Sequence, residues 1–513
     1  MVNRGPADNK RNHLNLSYKW IALGNTTLAT LIASLDLNII FIALPTIASE
    51  LGTSLFSMVW IIIGYSLVTG SILLNLGRLG DIFGRVKLYT LGFIVFTVGS
   101  GLCSISQSGE QLVVFRIVQA VGAAFLFSNS IAILTDSFPS HERGKALGIN
   151  QIAMVLGSIL GLVAGGFLTS YLGWRSIFWI NIPIGVIGVI WSYKYLKELG
   201  SISKEKIDWL GNAAFAVGLF LILAGITIWS FGIISNFLVI FLLIFGGFSL
   251  LIIFGIIEKF ISKEYPMFHF SLFKIKSFLG GNIAIFLNSI ARGNFIFLIS
   301  IYLQGALINL SPLETGTYLI PVFVTLAIFG PLSGWLSDKY SSRFFSALGL
   351  FITGIGFLFL TQLQIKANFI ELLVPFILIG AGMGIFASPN RASIMNSVPR
   401  RRRGVSASTG TTLFYVGRTL SVGISFLIMT SIVSSEYVKD IIIDFRNSDK
   451  ITATDNANTT GTNQAPMVTN KDGQDGVIAN KFLSSFHIIF FLSSILVFVA
   501  IIPATIKERH PTT

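Results

Sequence analysis

Fourteen stretches of roughly twenty apolar residues run through this chain, at 20–44, 57–77, 88–106, 112–134, 146–171, 176–193, 209–229, 233–257, 279–304, 315–336, 344–363, 372–390, 405–434 and 483–505. A helix of about 20 residues covers the hydrocarbon thickness of a bilayer. Where no water reaches the backbone, its polar groups must be satisfied within the segment, so stretches like these fold as packed membrane-spanning helices. Composition excludes the soluble alternative. Only 12% of the 513 residues are charged and mean hydropathy is +0.77, whereas a soluble chain is about a quarter charged. The fold class that follows is an all-α polytopic membrane protein with 14 transmembrane helices, and an even number of spans puts both termini on one side.

Charge selects that side. With a cytoplasmic N-terminus, 26 of the 36 lysines and arginines fall in cytoplasmic segments, seven in external ones and three within helices, as the positive-inside bias requires. N and C termini are therefore expected to be cytoplasmic. The net charge of +13 is explained by basic loops facing anionic lipid, including Arg400 to Arg403, and needs no nucleic acid partner. The single cysteine, Cys103, excludes an internal disulfide and a cysteine-based metal cluster. The first apolar segment is too long for a signal-peptide core and reads as a retained helix.

The expected organisation is a cytoplasmic tail 1–19, a six-helix bundle 20–193, linkers 194–278 with two extra transmembrane helices, a second six-helix bundle 279–506 and a tail 507–513. The long external loop 435–482 is rich in Thr, Asn, Asp and Gly and is expected to be loosely ordered. It carries an acceptor triplet at Asn458-Thr459-Thr460, a possible surface helix over Tyr437 to Phe445, and Asp472 and Asp475 as turn residues.

Between the second and third spans lies a short charged turn, with Gly77, Asp81, Gly84, Arg85 and Lys87. Glycine permits a tight reversal, and Asp81 and Arg85 are spaced to meet across one helical turn. The pattern resembles the signature loop of the major facilitator superfamily, whose members move small molecules across membranes. A degenerate echo at Gly330, Gly334, Asp338, Lys339 and Arg343 occupies the corresponding place in the second bundle, consistent with related halves.

Asp36 is the one carboxylate that falls within an apolar span. A charge at membrane depth costs at least ~2.5–3.5 kcal/mol unless paired or hydrated, and a carboxyl can escape that cost by taking a proton. The run from Leu35 to Pro45 resembles the first-helix motif of the fourteen-helix drug:proton antiporter family. Leu112, Arg116, Gln119, Gly122 and Ala123 are similar to its fourth-helix motif, in which an intramembrane arginine is linked to proton transfer. Gly157, Gly161, Gly165 and Gly166 resemble its glycine-rich fifth-helix motif, with Leu162 where a proline is usual. The stretch Gly173 to Gly185, and Tyr302-Leu303-Gln304 with Ser311-Pro312-Leu313 and Gly316, extend the likeness into both bundles.

The resemblance implies a secondary active transporter exporting small amphipathic or drug-like compounds by alternating access. Protons would couple through Asp36 and Arg116, and residues 77–87 would form a cytoplasmic gate. Candidate cavity residues are Gln119, Asn129, Asn288, Arg292, Asn390, Tyr415 and Arg418; polar groups in helix bundles also commonly bond neighbouring helices. His487 reads as interfacial. No phosphate-binding Gly-x-x-x-x-Gly-Lys-Ser/Thr occurs, so the expected driver is the proton gradient, with no cofactor and no metal. The sequence offers no catalytic cluster, so an enzyme is not expected. The location implied is a prokaryotic plasma membrane, multi-pass, with partners limited to a small-molecule substrate, protons and lipid, whatever the oligomeric state. Proton symport, facilitated uptake and a non-transporting receptor remain open readings.

Overall fold

The computed structural model describes residues 6–139, 142–199, 208–230, 233, 236–261, 270–305, 308–365, 367–399, 403–433 and 474–506. Among these, fourteen helices are long and apolar enough to span a membrane. They are α1 (Tyr18–Leu51), α2 (Leu55–Leu73, continuing as helix to Phe83), α3 (Arg85–Ser104), α4 (Gly109–Ser137), α5 (Ala146–Leu172), α6 (Ser176–Tyr195) and α7 (Trp209–Ser230). The chain continues through α8 (Phe237–Phe260), α9 (Lys276–Gln304), α10 (Pro312–Ser337), α11 (Ser342–Leu360), α12 (Phe369–Ser397), α13 (Val405–Ile432) and α14 (Asn480–Ala504). The loop features expected at 437–445, 458–460 and 472, and the arginines at 400–402, lie outside the described residues, while Asp475, expected in a turn of the loop 435–482, stands instead in the helix Gln474–Ala504 that carries α14.

Local chemistry sets the helix starts. Ser54 caps α2 by accepting from the Ser57 N–H, and Ser108 caps α4 by accepting from Gln111. Ser311 and Glu314 form a reciprocal capping box at α10, with Pro312 in the first turn, where its missing N–H costs nothing. Three spans differ from a simple reading of the sequence. α1 does not stop before Pro45 but runs through it to Leu51; neighbouring helices tolerate such prolines at membrane depth. α9 is interrupted at Gly293–Asn294, where Ser421 Oγ of α13 accepts from the Asn294 N–H at 3.1 Å. α8 ends in a π-helical turn, Ile257–Ile261, that buries Glu258 rather than leaving it in a solvated linker.

One pattern of packing occurs twice. In the first six helices α1 packs on α4 and α5, α3 on α4 and α6, and α2 on α4. In the last six α9 packs on α12 and α13, α11 on α12 and α14, and α10 on α12. Contacts between the two sets are also reciprocal: α2 meets α13, and α5 meets α10. α7 packs on α8 and joins the rest through α2 and α13, with the Trp60 indole N–H donating to Thr227 Oγ1 at 3.3 Å.

The two sets are joined by hydrogen bonds at both ends: at the end bearing Tyr18 and Ala504, Arg391 Nη1 donates to Gln151 Oε1 at 2.7 Å, and two more bonds lie toward the remote end. There Ser300 Oγ donates to the Phe41 carbonyl at 2.9 Å, and Gln304 Nε2 to the Ile42 carbonyl at 3.1 Å. The Phe41, Phe297 and Phe426 rings follow one another across the junction at centroid spacings of 6.3 and 5.3 Å.

Candidate functional site

Asp36 is fully buried in the middle of α1. Arg116 Nη1 of α4 lies 2.7 Å from Asp36 Oδ2. The other carboxylate oxygen accepts from Gln119 Nε2 at 2.8 Å and from Asn181 Nδ2 of α6 at 2.9 Å. Both amides also donate to Ser100 Oγ of α3, each at 3.0 Å, and Arg116 Nη1 donates to Gln119 Oε1 at 2.7 Å. The guanidinium stacks over the Tyr65 ring of α2, 4.2 Å from its centroid. Five helices thus converge on one carboxylate. The ion pair and the hydrogen bonds give Asp36 the partners that a charge at membrane depth requires. Arg116 Nε and the Tyr65 hydroxyl are buried without a hydrogen-bond partner.

Asp36 and Arg116 are therefore brought together. Gln119, read from sequence as a cavity residue, belongs instead to this cluster. Sequence alone does not mark Ser100, Asn181 and Tyr65 as members. The available signal was their polarity within apolar spans, and Asn181 stands inside the distinctive 173–185 stretch.

The α5 glycines hold the helix that carries the carboxylate. A side chain on Gly157 would collide with the Leu31 carbonyl oxygen, and one on Gly165 would come within 2.8 Å of Ile39 Cγ1. Gly166 faces the other way, against the Pro312 carbonyl of α10, and Gly316 of α10 faces the Leu162 carbonyl in turn. Asn38 Nδ2 donates to Ser158 Oγ at 3.1 Å on the same α1–α5 contact.

The remaining candidates lie in the last six helices, except Asn129 of α4. Arg418 is 7% exposed and lies over the Phe41 ring at 5.0 Å; Arg292 lies over Phe414 at 5.4 Å. Asn288 is buried with its Oδ1 unpartnered. Tyr415 is buried against Phe127 and packs where a side chain on Gly70 would stand. Two asparagines turn out to bond neighbouring backbone: Asn390 Nδ2 donates to the Gly281 carbonyl at 3.1 Å, and Asn129 Nδ2 to the Phe125 carbonyl at 3.0 Å. His487 Nε2 lies 2.8 Å from the Leu363 carbonyl.

At the other end, Gly84 takes φ 101° between α2 and α3, a conformation that favours glycine. Arg85 Nη1 pairs with Asp136 Oδ2 of α4 at 2.5 Å. The Arg85 and Val86 backbone N–H groups donate to the Glu198 carboxylate at 2.7 and 3.0 Å, placing negative charge at the positive end of α3. Sequence alone does not mark Asp136 or Glu198 as partners of this turn. Lys87 is exposed. Gly77 and Asp81 lie on the helical extension of α2, and their surroundings, with any Asp81–Arg85 contact, lie outside the described residues.

Two six-helix sets with one packing pattern, a pair of inserted helices and a buried ionic cluster at membrane depth define a polytopic transport protein. The Major Facilitator Superfamily profile matches residues 26–263 and 281–438, and the chain belongs to that superfamily. It is 33% identical over 395 residues to the riboflavin transporter RibZ of Clostridioides difficile, covering 77% of this chain and 84% of that one. It is 29% identical to multidrug resistance protein 3 of Bacillus subtilis, over 82% of this chain and 81% of that one. A bacterial homolog of the human lysosomal transporter Spinster, solved inward-facing and unoccupied, superposes with TM-score 0.62 at 15% identity, covering 95% of this chain and 96% of that one. This last likeness is one of fold.

Proposed function

We propose that this transporter exports small amphipathic compounds in exchange for protons, by alternating access between its two helix sets. The carrying observation is the Asp36–Arg116 pair, buried at 2.7 Å and held by donors from α4 and α6. A carboxylate that is ionised when paired and neutral when unpaired is the element that proton exchange needs. Arg116, which does not deprotonate usefully, decides by its approach whether Asp36 holds a proton. The end bearing Arg85, Asp136 and Glu198 is the cytoplasmic gate, in line with the basic loops on that side. The opposite end, with Ser300 and Gln304, is then external. Two relatives named for multidrug resistance support export.

A pH jump across vesicles holding the reconstituted protein tests the coupling. Asp36→Asn should abolish proton-driven movement of a transported compound. Undiminished proton-driven transport would sink the role given to Asp36.

A second reading, uptake with protons moving in the same direction, has two supports: Leu162 in place of the usual proline, and a relative named for riboflavin transport. Recording proton and substrate fluxes together separates the two by their relative sign.

A further inference from the structure

Arg292 and Arg418 hold a feature that the Asp36 cluster does not use. Gly293 packs against the Arg418 Cα, and Gly417 against Ser289, so α9 and α13 present two like-charged side chains from one tight junction. The face of each guanidinium is covered by a phenyl ring, Phe414 for Arg292 and Phe41 for Arg418. Neither forms a hydrogen bond or ion pair with any described residue, and Arg418 Nε is buried without a partner. An uncompensated buried charge such as that of Arg418 is strongly destabilising, and the half-buried Arg292 on the same junction adds repulsion. Stacking satisfies the π-face of a guanidinium but leaves its in-plane N–H fork free. That fork is the edge a carboxylate or sulfonate engages with two parallel bonds.

We propose that Arg292 and Arg418 bind the acidic group of the transported compound, so that the substrate class is amphipathic organic anions with an apolar body and one carboxylate or sulfonate. This rests on the transporter reading above. The site straddles the two helix sets, because Phe41 belongs to α1 and lies five residues beyond Asp36. A ligand held there touches both sets and so binds differently as they part.

The test uses two xanthene dyes of opposite charge, fluorescein and rhodamine 123, with the full chain in proteoliposomes and in detergent. Fluorescein should raise the unfolding temperature and be carried. Arg418→Gln and Arg292→Gln should each weaken its half-saturation by at least about tenfold, the loss of roughly one charge-assisted bond, with little change for rhodamine 123. Arg418→Lys should keep part of the effect. Without dye, the Gln variants should unfold no lower than the parent, since an unpaired charge has been removed. A clear fall in that temperature would make these arginines structural and overturn the proposal. So would the absence of any fluorescein effect, or an unchanged half-saturation in the Gln variants. Proton-driven transport of rhodamine 123 alone would leave the transporter reading intact and refute the anion site. Arginine-dependent fluorescein binding without flux would do the reverse.

Discussion

A side chain on Gly161 would come within 2.5 Å of the carbonyl oxygen of Leu35, the residue before Asp36. Gly157 and Gly165 meet Leu31 and Ile39 in the same register, so α5 touches α1 at every fourth residue of both helices. Backbone approach of this kind is available only to glycine. It fixes the depth and rotation of the helix whose carboxylate Arg116 must reach.

Substitution along this seam should therefore be costly. Gly161→Val is expected to destabilise by about 1–3 kcal/mol, the usual cost of overpacking, and to lower transport beyond the loss of folded protein. A methyl at Gly148 or Gly255 meets nothing within 4 Å, so alanine there should be neutral or slightly stabilising. Thermal unfolding in detergent compares the three directly. Equal behaviour at Gly161 and Gly148 would contradict the packing described.

How much of this was legible beforehand differs by residue. Hydropathy alone locates all fourteen spans, because the length needed to cross a bilayer leaves little freedom. Asp36 and Arg116 stand out because charge inside an apolar span demands a partner. Their partners Ser100 and Asn181 do not, because small polar side chains are common in helix bundles and most serve a neighbouring backbone, as Asn390 and Asn129 do here. Glu198 and Asp136 were hidden for another reason. They lie more than fifty residues from Arg85 in sequence, and only the fold brings them to the start of α3.

The Asp36 cluster should be sharply non-additive. Asp36→Ala leaves Arg116 buried and uncompensated and is expected to cost about 3–5 kcal/mol, whereas Asp36→Ala with Arg116→Met should recover much of that stability. Transport should stay lost in both. A double-mutant cycle by thermal unfolding reads the coupling. Additive losses would mean that the 2.7 Å contact carries no shared energy.

Arg85 and Asp136 are each about a quarter exposed, so their pairing is worth no more than about 1 kcal/mol to stability. Its expected effect is on conformational balance. Asp136→Asn and Glu198→Gln should both favour opening at this end, seen as weaker cross-linking between cysteines placed at Gln151 and Arg391, whose side chains hydrogen-bond across the two helix sets at 2.7 Å. The charge-reversed pair Arg85→Asp with Asp136→Arg should restore cross-linking. Failure of the reversal to restore it would assign the role to Glu198 alone.

At the opposite end, the donors from Ser300 and Gln304 to the Phe41 and Ile42 carbonyls are hydrogen bonds between the sets, formed when this end is closed. A net hydrogen bond contributes about 1 kcal/mol. Removing both with Ser300→Ala and Gln304→Leu should then shift the closed-to-open ratio at this end by about thirtyfold, since 1.4 kcal/mol is tenfold. Leucine fills the glutamine volume, so the apolar packing around Phe41 and Phe297 is largely kept and the effect isolates the polar contacts. Spin-label distances between α1 and α9 report the populations. A distribution centred on a longer separation is the expected result, together with substrate binding that becomes easier from this side. If both distributions match the parent, the rings rather than the hydrogen bonds hold the end closed, and Phe297→Ala should then produce the opening that the polar variants did not.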